Sequence, residues 1–221
     1  MTPELVVLDM AGTTVADDGL VVKAFTAAIE TIGVPEEKYP EMLQYVVDTM
    51  GQSKITVFRA LLREDTRAQQ ANSAFEAAYG DLVRAGECQP IPGAEDVIRG
   101  LRGDGVKVAF TTGFAPATQQ AILDALGWRD LADLALAPGD GVRGRPFPDL
   151  VLAAALRLEV TDVRRTAVVG DTASDVRCGL RAGASVVAGV LTGAGRREDL
   201  LEATHVLDSV RDLPTLLEGT K

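Results

Sequence analysis

The chain has 221 residues, of which 47% are hydrophobic and 24% are charged, and its formal net charge is −10. The composition is ordinary for a globular protein and argues against disorder, and the length suits a core domain that carries a smaller insertion. The acidic balance argues against nucleic-acid binding, which needs clustered Lys and Arg. A small phosphate-bearing substrate remains compatible with it, because a metal ion can offset the negative charge.

Cysteine content and hydropathy predict where the protein works. Cys88 and Cys178 have no zinc-ligand spacing, so we expect free thiols in a reducing compartment. The first eight residues do not resemble a signal peptide, and no apolar run approaches the roughly 20 residues that cross a bilayer. We therefore expect a cytoplasmic protein without a membrane partner.

Short apolar runs rich in β-branched residues predict buried strands. They occur at 5–8, 106–110, 166–169, 185–190 and 204–207. Helical patterns separate the later runs, at 94–102, 115–126, 148–158 and 174–182. This alternation predicts an α/β fold, with a doubly wound parallel sheet covered by helices on both faces.

The segment after the first strand has a different pattern. Apolar residues recur there at helical spacing, as in Phe25, Ala28, Ile29 and Ile32, and no run is typical of a strand. We therefore predict an α/β core of residues 1–16 and 90–221, with an all-helical cap domain of residues 17–89 inserted into it. The proline-rich segment 89–93 is a candidate hinge.

Three predicted strands end in polar residues: Asp9, Thr112 and Asp171. Ligands of open α/β sheets bind beyond the carboxyl ends of the strands, so these side chains are expected to converge. Asp171 and Asp175 lie four residues apart at a helix start, which suits Mg²⁺ but also suits a capped helix. Asp9 alone could equally be a turn residue.

Four segments resemble, in this order, the motifs of the haloacid dehalogenase-like superfamily. They are the strand ending in Asp9, Thr111-Thr112-Gly113, the basic segment around Arg145, and Gly170-Asp171-Thr172-Ala173-Ser174-Asp175. The resemblance spans most of the chain and implies a Rossmann-like core, Mg²⁺ as the cofactor, and Asp9 as a nucleophile that forms an aspartyl phosphate.

The resemblance also implies a role for each matching residue. Asp9, the Ala11 carbonyl and Asp171 would hold Mg²⁺, with Thr13 and Asp175 supporting them. The phosphate would be bound by Gly12, Thr112, Gly113 and Arg145.

Two departures from ordinary phosphatases of this superfamily narrow the resemblance. Ala11 replaces the aspartate that protonates a leaving alcohol, and Arg145 replaces the usual lysine. The sequences Asp-x-Ala-Gly-Thr and Arg-Pro-x-Pro are similar to those of the phosphonoacetaldehyde hydrolase (phosphonatase) subfamily. That resemblance implies cleavage of a C–P bond through a Schiff base on Lys54, with Met50 beside a small carbonyl-phosphonate substrate and a homodimer formed through the cap.

The match to this subfamily is incomplete, because Val57 stands where it has a histidine and Phe114 where it has a tyrosine. Three alternatives therefore stay open. Lys54 could be a solvated surface lysine, the protein could be a phosphatase for small phosphate esters or acyl phosphates, or the fold could serve binding alone. The glycine-rich segment 193–197 indicates a surface turn, with phosphate contact as the alternative. His205 and Trp128 are interpreted as structural residues.

Overall fold

The computed structural model describes residues 3–139 and 141–219, so the domain ends predicted at residues 1–2 and 220–221 lie outside the described chain. Six strands form one sheet in the described part. Their bounds are Leu5–Asp9 (β1), Lys107–Thr111 (β2), Leu134–Leu136 (β3), Thr166–Gly170 (β4), Val186–Val190 (β5) and His205–Leu207 (β6).

The strand order is β3-β2-β1-β4-β5-β6, and every pairing is parallel. The chain moves outward from β1 to β3, crosses back to β4 beside β1, and continues to β6 on the other side. This reversal of direction confirms the predicted Rossmann-like, doubly wound sheet. It also places the carboxyl ends of β2, β1 and β4 side by side, where such sheets bind their ligands.

Nine α-helices accompany the sheet in the described residues. They are Leu20–Thr31 (α1), Tyr39–Asp48 (α2), Lys54–Leu62 (α3), Asp65–Arg84 (α4), Ala94–Gly103 (α5), Pro116–Ala125 (α6), Asp149–Arg157 (α7), Ala173–Ala182 (α8) and Leu213–Gly219 (α9). The four helices predicted after residue 90 correspond to α5–α8, each within one residue at both ends. Helix α9 was not predicted.

Strand β3 was also missed by the sequence analysis. It has only three residues, Leu134-Ala135-Leu136, and contains no β-branched side chain. Its place in the sheet comes from pairing with β2, in which Phe110 lies opposite Ala135. An edge strand this short has too little periodicity to be recognised from the sequence.

The two faces of the sheet pack against different helices. Alternate residues of β1 belong to different hydrophobic clusters, Val6 and Leu8 to one and Leu5 and Val7 to the other, as strand geometry requires. The first cluster includes residues of α5, α6 and α9, and the second includes residues of α7 and α8. Both faces are therefore buried, as the apolar strands predict.

Helices α1–α4 lie between β1 and α5 in the chain and share the first hydrophobic cluster with the sheet. A series of aromatic rings runs through them towards the core. Phe25 stacks on Phe58 with centroids 4.7 Å apart, Phe58 meets Phe75 at 6.2 Å, and Phe75 meets Phe114 at 6.2 Å. We keep the name cap for α1–α4, while the division into two domains stays a prediction. Within the described residues, no helix combines the length and apolar character of a membrane span.

Candidate active site

The polar residues at three adjacent strand ends line one cavity of about 30 Å³. Asp9 ends β1, Thr112 follows β2, and Asp171 follows β4. All three are buried, with exposed fractions of 5%, 1% and 2%. The sheet therefore brings together groups that are more than 150 positions apart in the sequence, at the edge that the strand pattern predicts.

Arg145 connects the carboxylates at the floor of this site. Its Nη1 lies 2.6 Å from Oδ1 of Asp9 and 2.6 Å from Oδ1 of Asp175, while its Nη2 donates to Oγ1 of Thr111 at 2.9 Å. The side chain is only 3% exposed. Burial works against the cation, but the neighbouring charges of Asp175 and Asp9 outweigh it and raise the pKa of Arg145. The guanidinium is therefore a permanent positive charge beside Asp9.

Asp171 is held by backbone and hydroxyl donors from two loops. The Ala194 N–H donates to its Oδ2 at 2.7 Å, and the Thr13 hydroxyl donates to its Oδ1 at 3.4 Å. The Gly195 N–H donates to its carbonyl oxygen at 3.1 Å. These contacts fix the carboxylate, as partners of metal ligands commonly do.

Asp9, Asp171 and Asp175 each place one carboxylate oxygen within 4.8 Å of the others. Burial raises the pKa of Asp9 to about 6, with Asp175 adding to the rise and Arg145 opposing it. Burial also raises the pKa of Asp171, and the charges of Asp9 and Asp175 add to that rise. The cluster thus holds more negative charge than Arg145 neutralises.

This donor set fits a hard divalent cation such as Mg²⁺, which prefers one or two carboxylates. Asp9 and Asp171 are the better candidate ligands. Asp175 already accepts from Arg145 through Oδ1 and from the Thr172 N–H through Oδ2, at 3.1 Å, so it is placed to support them. Ala11 also lines the cavity.

The turn after β1 is built around Gly12, which has φ +90°. A Cβ on this residue would lie 2.5 Å from Oδ2 of Asp171, so only glycine allows this approach. Its N–H donates to the Val15 carbonyl at 2.7 Å, and Gly12 is absent from the cavity lining. The N–H therefore closes a turn and the missing side chain leaves room for Asp171, while the role of Gly12 in phosphate binding stays a prediction.

Lys54 lies in the same cavity as Asp9, and its exposed fraction is 9%. It opens α3, and its Nζ lies 5.3 Å from the centroid of Phe114 and 6.0 Å from that of Phe75. Nζ forms no hydrogen bond or ion pair with any described residue. Burial lowers the pKa of Lys54, while the charges of Asp17 and then Asp9 oppose that change. The side chain is thus buried, lines the cavity and has no polar partner for its amine, which contradicts the surface-lysine alternative.

Met50-Gly51-Gln52, which we call the cap segment, contacts the core beside Lys54. The Lys54 N–H donates to the Gly113 carbonyl at 3.3 Å. A Cβ on Gly113 would lie 2.5 Å from the Gln52 carbonyl oxygen and 2.8 Å from that of Gly51. Two backbones can approach this closely only where a side chain is missing. Met50, from the same segment, lines the cavity together with Gly113.

The cavity is small for a substrate. A volume of about 30 Å³ accommodates on the order of two water molecules. A groove of about 490 Å³ adjoins it and shares Met50, Thr172 and Ala194 with its lining. We call this arrangement of the cap segment closed, because it leaves less room than a substrate needs.

Three features singled out in the sequence lie around or outside the cavity. The segment 193–197 is more than a surface turn, because its backbone holds Asp171 while Thr192 donates to the Gly12 carbonyl at 2.7 Å. His205 and Trp128 are structural residues.

His205 lies on β6, outside the cavity lining, with Nδ1 2.9 Å from the Thr204 hydroxyl. Trp128 is buried and stacks on Phe110, with ring centroids 5.8 Å apart. Asp17, a half-buried carboxylate of the cavity lining, was not predicted as a site residue, because its setting in Asp17-Asp18-Gly19 is typical of a turn.

Comparisons with known proteins match the chain to one hydrolase family. The family model of haloacid dehalogenase-like hydrolases matches residues 3–183. A curated relative from Syntrophobacter fumaroxidans, named phosphonoacetaldehyde hydrolase, is 32% identical over 97% of this chain and 82% of its own. A relative from Dickeya dadantii named "Probable phosphatase IndB" is 28% identical over 90% of this chain and 86% of its own. The solved structure of a phosphonoacetaldehyde hydrolase-like protein from Oleispira antarctica has a TM-score of 0.83 at 26% identity, covering 99% of this chain and 92% of that one.

The fold and the family match define a hydrolase with a Rossmann-like core, and the cluster of buried carboxylates around Arg145 lies where that fold binds its ligands. The chain belongs to the haloacid dehalogenase-like hydrolase family. Within this family the similarity to phosphonoacetaldehyde hydrolases extends over nearly the whole chain, which confirms the resemblance seen in the sequence.

Proposed function

We propose that this hydrolase cleaves the carbon–phosphorus bond of phosphonoacetaldehyde or a related carbonyl phosphonate. Asp9 takes the phosphoryl group, and Lys54 holds the carbonyl carbon as an imine. The observation that carries the proposal is the buried amine of Lys54 in the same small cavity as Asp9, Thr112 and Arg145. The relatives named phosphonoacetaldehyde hydrolase support the substrate class.

An imine on Lys54 allows the carbon fragment to leave when the carbon–phosphorus bond breaks. The neutral amine of Lys54 adds to the substrate aldehyde, and water leaves to give a protonated imine. When the carbon–phosphorus bond breaks, its electron pair moves towards the imine nitrogen, and the carbon fragment leaves as an enamine. Ala11 offers no acid to protonate a leaving alkoxide, and this route needs none. Protonation and hydrolysis of the enamine then release acetaldehyde and restore the amine.

The phosphoryl group moves in the opposite direction, to Asp9. One oxygen of Asp9 bonds to phosphorus as the carbon leaves, and water later hydrolyses the acyl phosphate to inorganic phosphate. Arg145 and Thr112 neutralise and orient the phosphoryl oxygens. When bound by Asp9, Asp171 and the Ala11 carbonyl, Mg²⁺ supplies positive charge that reduces the repulsion between the carboxylate and the phosphonate.

The surroundings of Lys54 favour its neutral form. The aromatic rings of Phe75 and Phe114 replace water around the amine, and burial lowers its pKa. The start of α3 places it near the positive end of a helix, which opposes a further positive charge. Both effects increase the fraction of amine that can attack a carbonyl.

A second candidate function is a phosphatase for substrates with good leaving groups, such as acyl phosphates. Ala11 in place of an acid favours it, because an acyl phosphate loses a carboxylate that needs no proton. Val57 also favours the phosphatase, because this buried apolar residue stands where the phosphonatase subfamily has a histidine that could assist imine formation. In this function Lys54 has no covalent role.

Trapping with borohydride distinguishes the two functions. Phosphonoacetaldehyde and borohydride should inactivate the protein and leave a reduced adduct on Lys54, located by peptide mass spectrometry. Lys54→Met keeps an unbranched apolar chain against the aromatic rings but removes the amine, so it should lose the adduct and phosphate release. The exposed lysine variant Lys38→Met is the matched control and should retain both. Phosphate release from phosphonoacetaldehyde that survives in Lys54→Met would rule out the proposal, and release from acetyl phosphate by the same variant would support the phosphatase.

A further inference from the structure

Imine formation needs a group that moves protons beside the amine. The attacking nitrogen must lose a proton, and the carbonyl oxygen must gain protons to leave as water. The titratable residues of the described cavity lining are Asp9, Asp17, Lys54, Arg145 and Asp171. Asp9 and Asp171 belong to the phosphoryl and metal side of the cavity, and Arg145 is a permanent cation. Asp17 is the carboxylate without a role in the proposed reaction.

Asp17 is held in place at the start of the cap. It follows the turn after β1, and its Oδ1 accepts a hydrogen bond from the Val21 N–H in the first turn of α1, at 3.1 Å. Its Oδ2 accepts no hydrogen bond from a described residue. Val21 and Asp17 both line the cavity with Lys54. One oxygen therefore anchors the side chain, and the other is available to a ligand.

Asp17 is also the acidic group with the largest electrostatic effect on Lys54, ahead of Asp9 and Asp171. Burial raises the pKa of Asp17, although the Val21 N–H and the positive charge of Lys54 oppose the rise. The other titratable groups that interact with it are Asp18, Tyr79 and Cys88. Asp17 and Lys54 line the same cavity without forming a direct ion pair with each other.

We propose that Asp17 is the proton-transfer residue for imine formation at Lys54, an inference that rests on the proposed function. The Asp17 carboxylate first takes a proton from the Lys54 ammonium through a water molecule. The neutral amine then adds to the carbonyl carbon, and one proton moves from nitrogen to oxygen to give a carbinolamine. The protonated carboxyl of Asp17 then gives its proton to the hydroxyl, the carbon–oxygen bond breaks, and water leaves. The products are a protonated imine, one water molecule and the Asp17 carboxylate, so atoms and charge balance. Asp17 thus supplies the proton transfer that the apolar side chain of Val57 cannot.

The variant Asp17→Asn tests this assignment. Asparagine keeps an oxygen to accept from the Val21 N–H, so the start of α1 is preserved, but it cannot exchange a proton. The rate of borohydride trapping at Lys54 is measured in a single turnover, at saturating phosphonoacetaldehyde, from pH 6 to pH 9. We expect about a 100-fold fall in the limiting rate, with little change in the substrate concentration that gives half the limiting rate.

Asp18→Asn is the matched control. It removes the same charge one residue away, at an exposed position outside the cavity lining, and asparagine tolerates its positive φ of 41°. This variant should trap at the wild-type rate. Thermal unfolding of both variants checks that neither change disturbs the fold.

The sign of the effect separates proton transfer from simple electrostatics. Loss of the Asp17 charge makes the ammonium form of Lys54 less favourable, so a purely electrostatic role predicts more neutral amine and faster trapping in Asp17→Asn at neutral pH. Trapping that is unchanged or faster in this variant, while wild type forms the adduct, would overturn the inference. Absence of the adduct in wild type would instead refute the proposed function on which it rests.

Discussion

Arg145 shows how one side chain determines the electrostatics of the site. Its guanidinium contacts Asp9, Asp175 and Thr111 simultaneously, an arrangement that needs two donor nitrogens in a planar group. A lysine, the residue usual in the wider superfamily, could approach the carboxylates but could not reproduce this geometry. The planar cation therefore both pairs with the nucleophile and fixes its direction.

Removal of the Arg145 charge should destabilise the metal-free protein. Arg145→Gln leaves Asp9 and Asp175 buried without their cation, and breaking a buried pair in this way costs about 3–5 kcal/mol of unfolding free energy. Urea denaturation in EDTA measures the loss. Arg143→Gln, which breaks an exposed pair with Asp149, is the control and should change stability little. Equal losses in the two variants would contradict the role given to Arg145.

At the scale of elements, the strand pattern was sufficient to predict the polar cluster. Asp9, Thr112 and Asp171 each follow a β-branched apolar run, and parallel pairing then places those ends together. Asp17 could not be found in this way, because the turn carboxylate reaches the cavity through packing of α1 against α4 and of Phe25 in α1 against Phe58 in α3. Contacts between the cap and the sheet are set by surface fit, which local periodicity does not encode.

The contact between the cap segment and Gly113 makes a specific prediction. Gly113→Ala adds a methyl group that overlaps the carbonyl oxygens of Gly51 and Gln52, so the cap segment must move away from the core. We expect at least a 10-fold fall in kcat/KM with little change in thermal stability, because closure organises the site. Steady-state kinetics and thermal unfolding measure the two effects.

Gly100→Ala is the control for this change. Gly100 lies in α5, and a Cβ there meets no other atom within 4 Å. Alanine in a helix should preserve activity and raise stability by about 0.5–1 kcal/mol. Full activity of Gly113→Ala would show that the close approach of the two backbones is dispensable.

The protein has a net charge of −10, and three of its carboxylates lie close together in the buried site. For the metal-free protein, burial raises the pKa of Asp9 to about 6, above its ordinary value of 3.8. The folded state then binds more protons than the unfolded state between these two values, so stability falls as the pH rises through this window. A bound divalent cation removes the penalty by favouring the charged form.

The stabilising effect of magnesium should therefore depend on pH. We expect 5 mM MgCl₂, compared with EDTA, to raise Tm more at pH 7.5 than at pH 5, because protons compete with the metal for Asp9 and Asp171 at the lower pH. Differential scanning fluorimetry at the two pH values measures the difference. Asp9→Asn should reduce the effect at pH 7.5. A larger rise at pH 5 would mean that the metal binds elsewhere.

The closed cap segment has a consequence for selectivity. The closed cavity, with room for about two water molecules, is smaller than phosphonoacetaldehyde, so the cap segment must shift to bind this substrate and must shift further for a larger one. A bulky carbonyl phosphonate could dock its anionic end on Arg145 and still prevent Gly51 and Gln52 from reaching Gly113. Such a compound would bind without closure of the cap segment and act as a competitive inhibitor. Among carbonyl phosphonates, turnover should therefore fall as the size of the tail increases.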